Sequence, residues 1–165
     1  PFDEEATRLR LTGEQAEERG RPSAVVQSLR EPKRTPHPHR GSALTHWPVQ
    51  LRLVPVKAPF FEGADLLVVA DCVPFAYPDT HGALLSGRSV VVGCPKFDDA
   101  KGYAGKLGEI LRGNGVRSVA VVHMEVPCCY GLRWVVDRAL EASGKRIPVR
   151  RSVVTVKGDL REVAG

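Results

Sequence analysis

The sequence contains no apolar run that approaches the roughly 20 residues of a membrane-spanning helix, so we expect no membrane association. It contains only 4 cysteines, too few for a small secreted fold held by many disulfides. The motifs Gly-x-Gly-x-x-Gly, Walker A and Gly-x-Ser-x-Gly are missing, so no motif supports nucleotide binding or serine hydrolysis. No Cys-x-x-Cys pair indicates a zinc ribbon or finger. We expect a cytoplasmic protein with metal or redox chemistry in a reducing compartment.

The chain also lacks a large excess of positive or negative charge. The chain has 24 Lys and Arg against 19 Asp and Glu, a net charge of +5. The basic residues are spread along the chain, with a modest cluster over Lys145–Arg151. A nucleic-acid interface usually concentrates its basic residues on one face, so this distribution favours a solvated surface and we expect no nucleic-acid partner.

The 165 residues suffice for one ordinary domain with a real core. The first residue is Pro1 rather than Met, which suggests that the chain is a fragment, a processed product or a cut chain. Residues 1–20 predict a weakly anchored helix, and residues 31–42, which hold three prolines, predict a linker. We therefore predict a charged N-terminal region over residues 1–43 and a compact domain over residues 44–165.

Apolar runs and helical patterns alternate along the predicted domain. Near-continuous Val, Ala and Leu runs are typical of strands buried on both faces of a parallel sheet. The predicted strands are Leu66–Ala70, Ser89–Gly93, Ser118–His123 and Ser152–Lys157. The predicted helices are Asp98–Leu111, Leu132–Ala142 and a short one over Thr80–Leu85. The pattern predicts an α/β fold, namely a doubly wound, mostly parallel, Rossmann-like sheet of about four strands with flanking helices.

All four cysteines follow predicted strands. Cys72 comes after the first strand, Cys94 after the second, and Cys128 and Cys129 after the third. Because parallel strands end at one edge of the sheet, and ligands of open α/β sheets bind at that edge, we expect the four thiols to meet there. Buried free cysteines are the alternative, but four at strand ends favour a metal or cluster site.

Thiolates select zinc, copper(I) or iron–sulfur clusters. Cys128 and Cys129 are awkward as joint ligands of one small ion, because neighbouring side chains of an extended segment point to opposite sides. A cluster of several irons tolerates this better, so we predict an iron–sulfur cluster, 4Fe–4S above all, with zinc as the alternative. If only three cysteines bind, His123, Asp71 or His81 can supply the remaining position.

Other polar residues near the predicted strand ends have ordinary explanations as well. Asp98 and Asp99 precede a predicted helix and are expected to cap it. Glu125 lies between His123 and the cysteine pair, where it can orient a histidine or remain a solvated loop carboxylate. His37 and His39 form a His-Pro-His segment in the predicted linker and are weak candidates for a surface metal site.

Three strings of the sequence resemble a known family. They are THWPVQLRLVPVKAPFFEGADLLVVADCVPFAY, GCPKFDDAKGYAGKLGEIL and VAVVHMEVPCCYGL. Over about residues 43–158, the chain resembles the C-terminal domain of bacterial ferredoxin-type 4Fe–4S proteins. The resemblance implies iron–sulfur binding and electron transfer, with an N-terminal ferredoxin module ahead of Pro1. The redox partner is then that module or a separate protein. Family members often carry a Cys-Gly-Cys-Pro segment where this chain reads EPKRTPHPHRGS, so any site built on those thiols is lost or altered here.

Three functions stay open at this point. The first is an iron–sulfur electron carrier or redox module whose cluster is held by cysteine thiolates. The second is an enzyme in which a three-cysteine cluster or zinc acts as a Lewis acid, with His123, Asp71 or Asp99 moving protons. The third is a metal-free thiol protein, which is the least favoured because adjacent cysteines form only a strained disulfide ring.

Overall fold

The protein is described here by a computed structural model that covers residues 41–163. The predicted N-terminal helix, most of the predicted linker, and His37 and His39 lie outside the described residues. The domain boundary near residue 44 therefore stays a prediction.

The described residues form a five-stranded sheet with the strand order β2-β1-β3-β4-β5. The pairs β2–β1, β1–β3 and β3–β4 are parallel, and β5 runs antiparallel to β4. The strands are β1 (Asp65–Ala70), β2 (Ser89–Gly93), β3 (Ser118–Met124), β4 (Val149–Val154) and β5 (Leu160–Val163). The predicted α/β class with a mostly parallel, Rossmann-like sheet is confirmed.

Two details of the strand prediction were wrong. The fourth strand was predicted over Ser152–Lys157, but β4 spans Val149–Val154 and therefore includes Arg150 and Arg151. β5 was not predicted, because its residues Leu160–Val163 are mostly exposed and contain no apolar run. An exposed edge strand lacks the buried face that produces a hydrophobic pattern.

Helices complete the layers on the sheet. They are α1 (Val73–Ala76), α2 (Ala100–Gly113) and α3 (Gly131–Ser143), with a π-helix over Thr80–Leu85 and 3₁₀ turns at Pro59–Phe61 and Pro127–Cys129. α2 and α3 pack on each other, and a Cβ placed on Gly108 of α2 would lie 3.3 Å from the carbonyl oxygen of Ala139 in α3. The close approach of the two helices therefore depends on a residue without a side chain.

The core lies between the sheet and these helices. Leu67 and Val68 of β1, and Val121 of β3, are almost completely buried, and each strand contributes side chains to both faces. Leu107 of α2 and Leu132 of α3 have no exposed surface. Among residues 41–163, no helix combines the length and the apolar character that crossing a membrane requires.

Candidate functional site

The four cysteines lie at the edge of the sheet where the parallel strands end, here called the carboxyl edge. Cys72 follows β1 and precedes α1, and Cys94 comes directly after β2. Cys128 and Cys129 lie in the 3₁₀ turn that joins β3 to α3. Since β1 lies between β2 and β3, the Cys72 loop is flanked by the other two cysteine loops. The predicted position of the four cysteines at the carboxyl edge agrees with the structure, and their function as ligands stays a prediction.

The loops of the carboxyl edge also touch one another. A Cβ placed on Gly131, at the start of α3, would lie 3.0 Å from the Pro95 Cβ, so the loops after β2 and β3 are in contact. In the turn after β4, Gly158 adopts φ +95°, and a Cβ there would lie 2.9 Å from the carbonyl oxygen of Ala76 in α1. The backbone N–H of Val156 donates to Glu125 Oε1 at 2.8 Å. The four loops thus form one continuous surface.

Electrostatic coupling shows that the thiols are near neighbours. Partial burial raises the pKa of the Cys72 thiol, and Cys94, Asp71 and Cys128 raise it further. Cys72 is exposed as a whole residue. Even so, desolvation of its thiol is the largest cause of the raised pKa. Thiols on three different loops therefore sense each other's charge.

Cys129 is the buried member of the set. Burial raises the pKa of its thiol to about 12, and Cys128 and Cys72 add to the rise. The Met124 backbone amide donates to the Cys129 sulfur and opposes the rise, and the Cys129 thiol hydrogen-bonds to Cys128. The expectation that Cys128 and Cys129 point to opposite sides was wrong, because the pair lies in a 3₁₀ turn rather than an extended segment. Both sulfurs therefore face one region.

All four cysteines are free thiols in this structure. Within residues 41–163, no three side chains of His, Cys, Asp or Glu are gathered so that they could hold one metal ion. The thiols are thus close enough to interact electrostatically but do not converge on a single point.

His123 lies at the end of β3 with its side chain completely buried. Its Nδ1 is 2.8 Å from the carbonyl oxygen of Met124, which can only accept, so Nδ1 carries the proton. Nε2 is then a lone-pair acceptor, and it is buried without a hydrogen-bond partner. Burial lowers the pKa of His123 and keeps the ring neutral. A neutral imidazole held through Nδ1 with a bare Nε2 is the form that ligates metals.

Asp71 is a second buried group without a full set of partners. Its Oδ1 is buried and has no hydrogen-bond partner, while the Gln50 side chain donates to the carboxylate. Burial raises the pKa of Asp71, and the nearby Asp98 carboxylate raises it further. The raised pKa makes this carboxyl group a weaker acid than an exposed aspartate, and the residue directly precedes Cys72 in the chain.

Tyr103, Asp98 and Arg52 form a hydrogen-bond network next to the loop that carries Cys94. The Tyr103 hydroxyl donates to Asp98 Oδ2, and the Cys94 backbone amide partly opposes the rise in the pKa of Tyr103. Asp98 also accepts from Arg52 Nη1 at 2.8 Å, so its negative charge is paired. Burial and Asp98 together raise the pKa of Tyr103 well above its usual range, so the hydroxyl keeps its proton.

Sequence reasoning did not identify Tyr103, Arg52 or Gln50 as parts of the site. Tyr103 was expected only as an apolar position of a helix, and Gln50 and Arg52 belong to a string that carries the family resemblance but were given no role of their own. Gly93 was the available indication. A glycine at the end of a buried strand often marks a close approach, and a Cβ on Gly93 would lie 2.6 Å from the Tyr103 ring.

The remaining candidates have ordinary roles. Asp99 caps α2 by accepting the Lys101 backbone N–H at 3.0 Å, as expected, whereas Asp98 pairs with Arg52 instead of capping. Glu125 braces the β4–β5 turn. His81 Nδ1 accepts the backbone N–H of Ala43 at 3.1 Å, which ties the ring to the segment before β1.

The described surface has cavities, and two of them are considered as candidate sites. One, of about 200 Å³, lies beside the Tyr103 network and is lined by Arg52, Asp99, Gly102, Tyr103 and Lys106. The larger one, of about 400 Å³, lies where β1, β3 and β4 begin, on the opposite side of the sheet from the cysteines. Size alone favours the larger cavity. The four cysteines, the unpartnered His123 Nε2 and the unpartnered Asp71 Oδ1 all lie at the carboxyl edge, and we place the candidate site there.

Comparisons with known proteins agree with the fold. An uncharacterized protein of Archaeoglobus fulgidus is 33% identical to the chain over 112 residues, which cover 68% of this chain and 79% of that protein. No solved structure matches the chain significantly. The Rossmann-like domain family matches residues 58–164, a span that contains all five strands and all four cysteines. The chain belongs to the Rossmann-like domain family.

Proposed function

We propose that this domain binds an iron–sulfur cluster, 4Fe–4S above all, through Cys72, Cys94, Cys128 and Cys129, and that it transfers electrons. The observation that carries the proposal is the placement of four cysteines on three separate loops at one sheet edge. A cluster is itself several Å across, so its ligands bind at separated positions and need not converge on one point. The proposal agrees with the resemblance to the C-terminal domain of ferredoxin-type proteins.

The chemistry of the edge fits such a group. Raised pKa values keep the Cys72 and Cys129 thiols protonated without metal, so binding releases protons and iron supplies the positive charge that stabilises the thiolates. Cys129 is buried and Cys72 is exposed, so the cluster would have one covered side and one side open to a partner. Burial and hydrogen bonds to sulfur, such as the one from Met124 to Cys129, tune the potential of a bound cluster.

In this proposal, His123 is the alternative ligand if one of the four cysteines does not bind the cluster. Its Nε2 is bare, buried and near the cysteine pair along the chain. Imidazole in place of a thiolate raises the potential of a cluster. If geometry lets only one of Cys128 and Cys129 bind, His123 completes the set.

The redox partner is a separate electron-transfer protein or a ferredoxin module ahead of Pro1. Free thiols persist in a reducing compartment, which supports the cytoplasm as the place where this domain works.

Asp71 favours a second candidate function. A buried carboxyl group with a raised pKa and an unpartnered oxygen suits proton transfer to a small molecule held at an open metal position. In that case three cysteines would hold a cluster or zinc, which would act as a Lewis acid. His123 would then be free to take part in proton transfer.

The deciding experiment is the iron, sulfide and zinc content of anaerobically purified protein, with and without reconstitution. Cys94→Ala and Cys72→Ala remove single thiols, and Pro95→Ala is a matched control because it changes the same loop without removing a ligand. Iron and sulfide near stoichiometry, lost in the cysteine variants and kept in the control, are the expected result. Zinc alone would favour the Lewis-acid enzyme, and absence of both metals after reconstitution would refute the proposal.

A second measurement separates the ligands. His123→Ala is expected to leave the iron content unchanged if four cysteines bind, and to alter the electron paramagnetic resonance spectrum if the imidazole ligates. A steady-state assay with a one-electron donor and a one-electron acceptor then distinguishes an electron carrier from an enzyme that turns over a substrate.

A further inference from the structure

We propose that the larger cavity binds a small phosphorylated sugar, with Arg150 on the phosphate and Asp65 on the sugar hydroxyl groups. The cavity lies at the amino edge of the sheet, where β1, β3 and β4 begin, at the other end of the strands from the cysteines. Its volume of about 400 Å³ falls within the roughly 300–1,000 Å³ of small-molecule sites in proteins, whereas the cavity of about 200 Å³ beside Tyr103 is smaller than that range.

The cavity lies on the face of the sheet that α2 and α3 do not cover. Arg151 of β4 pairs with Asp137 of α3 and therefore lies on the helix-covered face. Because successive residues of a strand alternate between faces, Arg150 lies on the other one. There it is next to Ala120, which is only half-buried although β3 is the central strand. This face of the sheet is thus open to a ligand at the cavity.

Two arginine side chains line the cavity from opposite sides. Arg88 directly precedes β2 and Arg150 belongs to β4, so three inter-strand spacings, about 14 Å, separate them across the sheet. The Arg88 guanidinium is held in place, since its Nη1 donates to the Leu84 carbonyl oxygen at 2.9 Å. Arg150 Nε lies 3.7 Å from Glu162 Oε1, too far for a hydrogen bond, and its guanidinium makes none to any residue of 41–163. Its donors can therefore bind a ligand.

The state of Arg150 favours phosphate as the anion. A guanidinium offers paired N–H donors that match the oxygens of a phosphate. The side chains of Arg150 and Glu162 are 68% and 73% exposed, so water screens their attraction and the pair is easily replaced. A phosphate monoester carries about 1.5–2 negative charges at neutral pH against one on Glu162. The ligand phosphate therefore competes successfully for Arg150.

The floor of the cavity accepts hydrogen bonds rather than donating them. Asp65 and Ser118 are paired neighbours on β1 and β3, and Ser118 Oγ donates to Asp65 Oδ1 at 2.8 Å. Arg117 pairs with the other carboxylate oxygen, and the hydrogen bonds from Ser118 and Arg117 lower the pKa of Asp65. With its proton used, Ser118 offers only lone pairs to a ligand, as Asp65 does.

Sugar hydroxyl groups are the donors that suit this floor. The charge of Asp65 is already balanced by Arg117, so the site does not need a second cation from the ligand. None of the described residues that line the cavity is aromatic, so the cavity has no platform on which a nucleobase could stack. A phosphorylated sugar without a base therefore fits better than a nucleotide.

Isothermal titration calorimetry of the full chain with ribose 5-phosphate and glucose 6-phosphate tests the inference. Arg150→Gln removes the phosphate-binding charge and is expected to weaken binding about 10-fold or more, the effect of losing a hydrogen bond between charged groups. Arg161→Gln is the matched control. It makes the same change at an exposed arginine of β5 whose register partner Val153 places it on the opposite face of the sheet, and it should keep the wild-type affinity.

Ala120→Leu is the second variant, since it fills the cavity and leaves every charge in place. It is expected to abolish binding of both sugar phosphates, and it decides the question if Arg150→Gln does not fold. Nuclear magnetic resonance locates the site independently. The backbone amide signals of Ser118, Ala120 and Arg150 should shift when ribose 5-phosphate is added to the wild type.

Four results would overturn the inference. The first is that neither sugar phosphate binds the wild type, and the second is that Arg161→Gln weakens binding as much as Arg150→Gln, which would indicate only general attraction to a basic protein. The third is equal affinity for inorganic phosphate or for unphosphorylated ribose, which would remove the role of the sugar or of the phosphate. The fourth is tighter binding of AMP than of ribose 5-phosphate, since a base would then be recognised. Iron uptake should be the same in all these variants, so this inference and the proposed function can fail separately.

Discussion

Replacing Gly93 with alanine should destabilise the protein through a single clash. A Cβ at this position would lie 2.6 Å from Cε2, 2.8 Å from Cζ and 2.9 Å from the hydroxyl oxygen of Tyr103. Tyr103 cannot easily move away, because its ring is buried and its hydroxyl donates to Asp98, which is held by Arg52. The clash falls at the last residue of β2, directly before a cysteine of the site.

The size of the effect follows from two opposing contributions. Overpacking a filled core costs about 1–3 kcal/mol. Alanine in place of glycine in a strand returns roughly 0.5–1 kcal/mol, because it reduces the entropy of the unfolded chain. We therefore expect Gly93→Ala to lower the free energy of unfolding by about 1–2 kcal/mol, a sizeable part of the 5–15 kcal/mol typical of a domain.

Urea denaturation followed by circular dichroism measures this difference. Gly105→Ala is the matched control, since nothing lies within 4 Å of a Cβ at that position in the interior of α2. This control is expected to stabilise the protein by about 0.5–1 kcal/mol, because alanine is the better helix former. The same chemical change should thus have opposite signs at two positions.

A double-mutant cycle identifies the partner in the clash. In a Tyr103→Leu background the aromatic ring is gone, and Gly93→Ala should cost little or nothing further. The reasoning is refuted if Gly93→Ala is as stable as the wild type. It is also refuted if the full cost persists in the Tyr103→Leu background, since the ring would then not be its cause.

Three further predictions concern other parts of the chain. Asn114 is 2% exposed and its side-chain amide donates to two backbone carbonyls at 2.8 Å each, so Asn114→Ala should lower the free energy of unfolding by about 1–3 kcal/mol in urea titrations. Gly131→Ala should reduce iron uptake in reconstitution while changing the unfolding free energy by less than about 1 kcal/mol, because a Cβ 3.0 Å from Pro95 separates two loops of the site without touching the core. Burial lowers the pKa of His46 below its ordinary value of 6.5, and the Nε2 atom of His46 accepts the Val90 N–H. As the pH falls, His46 is therefore protonated in the unfolded chain before it is protonated in the folded protein. The contribution of His46 to the free energy of unfolding should be fully present above about pH 6.5 and should decrease below that pH by at most about 1.4 kcal/mol per pH unit. Thermal melts of His46→Gln should show a smaller loss of stability between pH 7.5 and 5.0 than those of the wild type.

Much of the fold was predictable because burial leaves a pattern in the sequence. β1, β2 and β3 are buried on both faces, so each is a continuous apolar run, and their predicted bounds agree with the structure within a residue. α2 and α3 bury one stripe each, which produces helical spacing. β4 was displaced and β5 was missed because exposed or charged residues give no such pattern.

The edge that carries the candidate site was predictable for a geometric reason. Parallel strands joined by right-handed crossovers all end on one side of the sheet, so residues that follow successive strands must share that side. The positions of Cys72, Cys94, Cys128 and Cys129 were therefore fixed by chain order together with fold class. What they bind was not, because a thiol at a strand end is compatible with a cluster, an ion or no metal.

Only the tertiary structure decided which side chains contact one another at the carboxyl edge and which of them lack hydrogen-bond partners. Two buried atoms, His123 Nε2 and Asp71 Oδ1, lack partners because of how the loops pack, and no local pattern encodes that. Tyr103 packs against the end of β2 only because Gly93 has no side chain there. Contacts between residues distant in sequence depend on the distance and angle between packed elements, which composition and periodicity do not specify. The sequence by itself thus determined which residues share the edge, and packing determined which of them are left without partners.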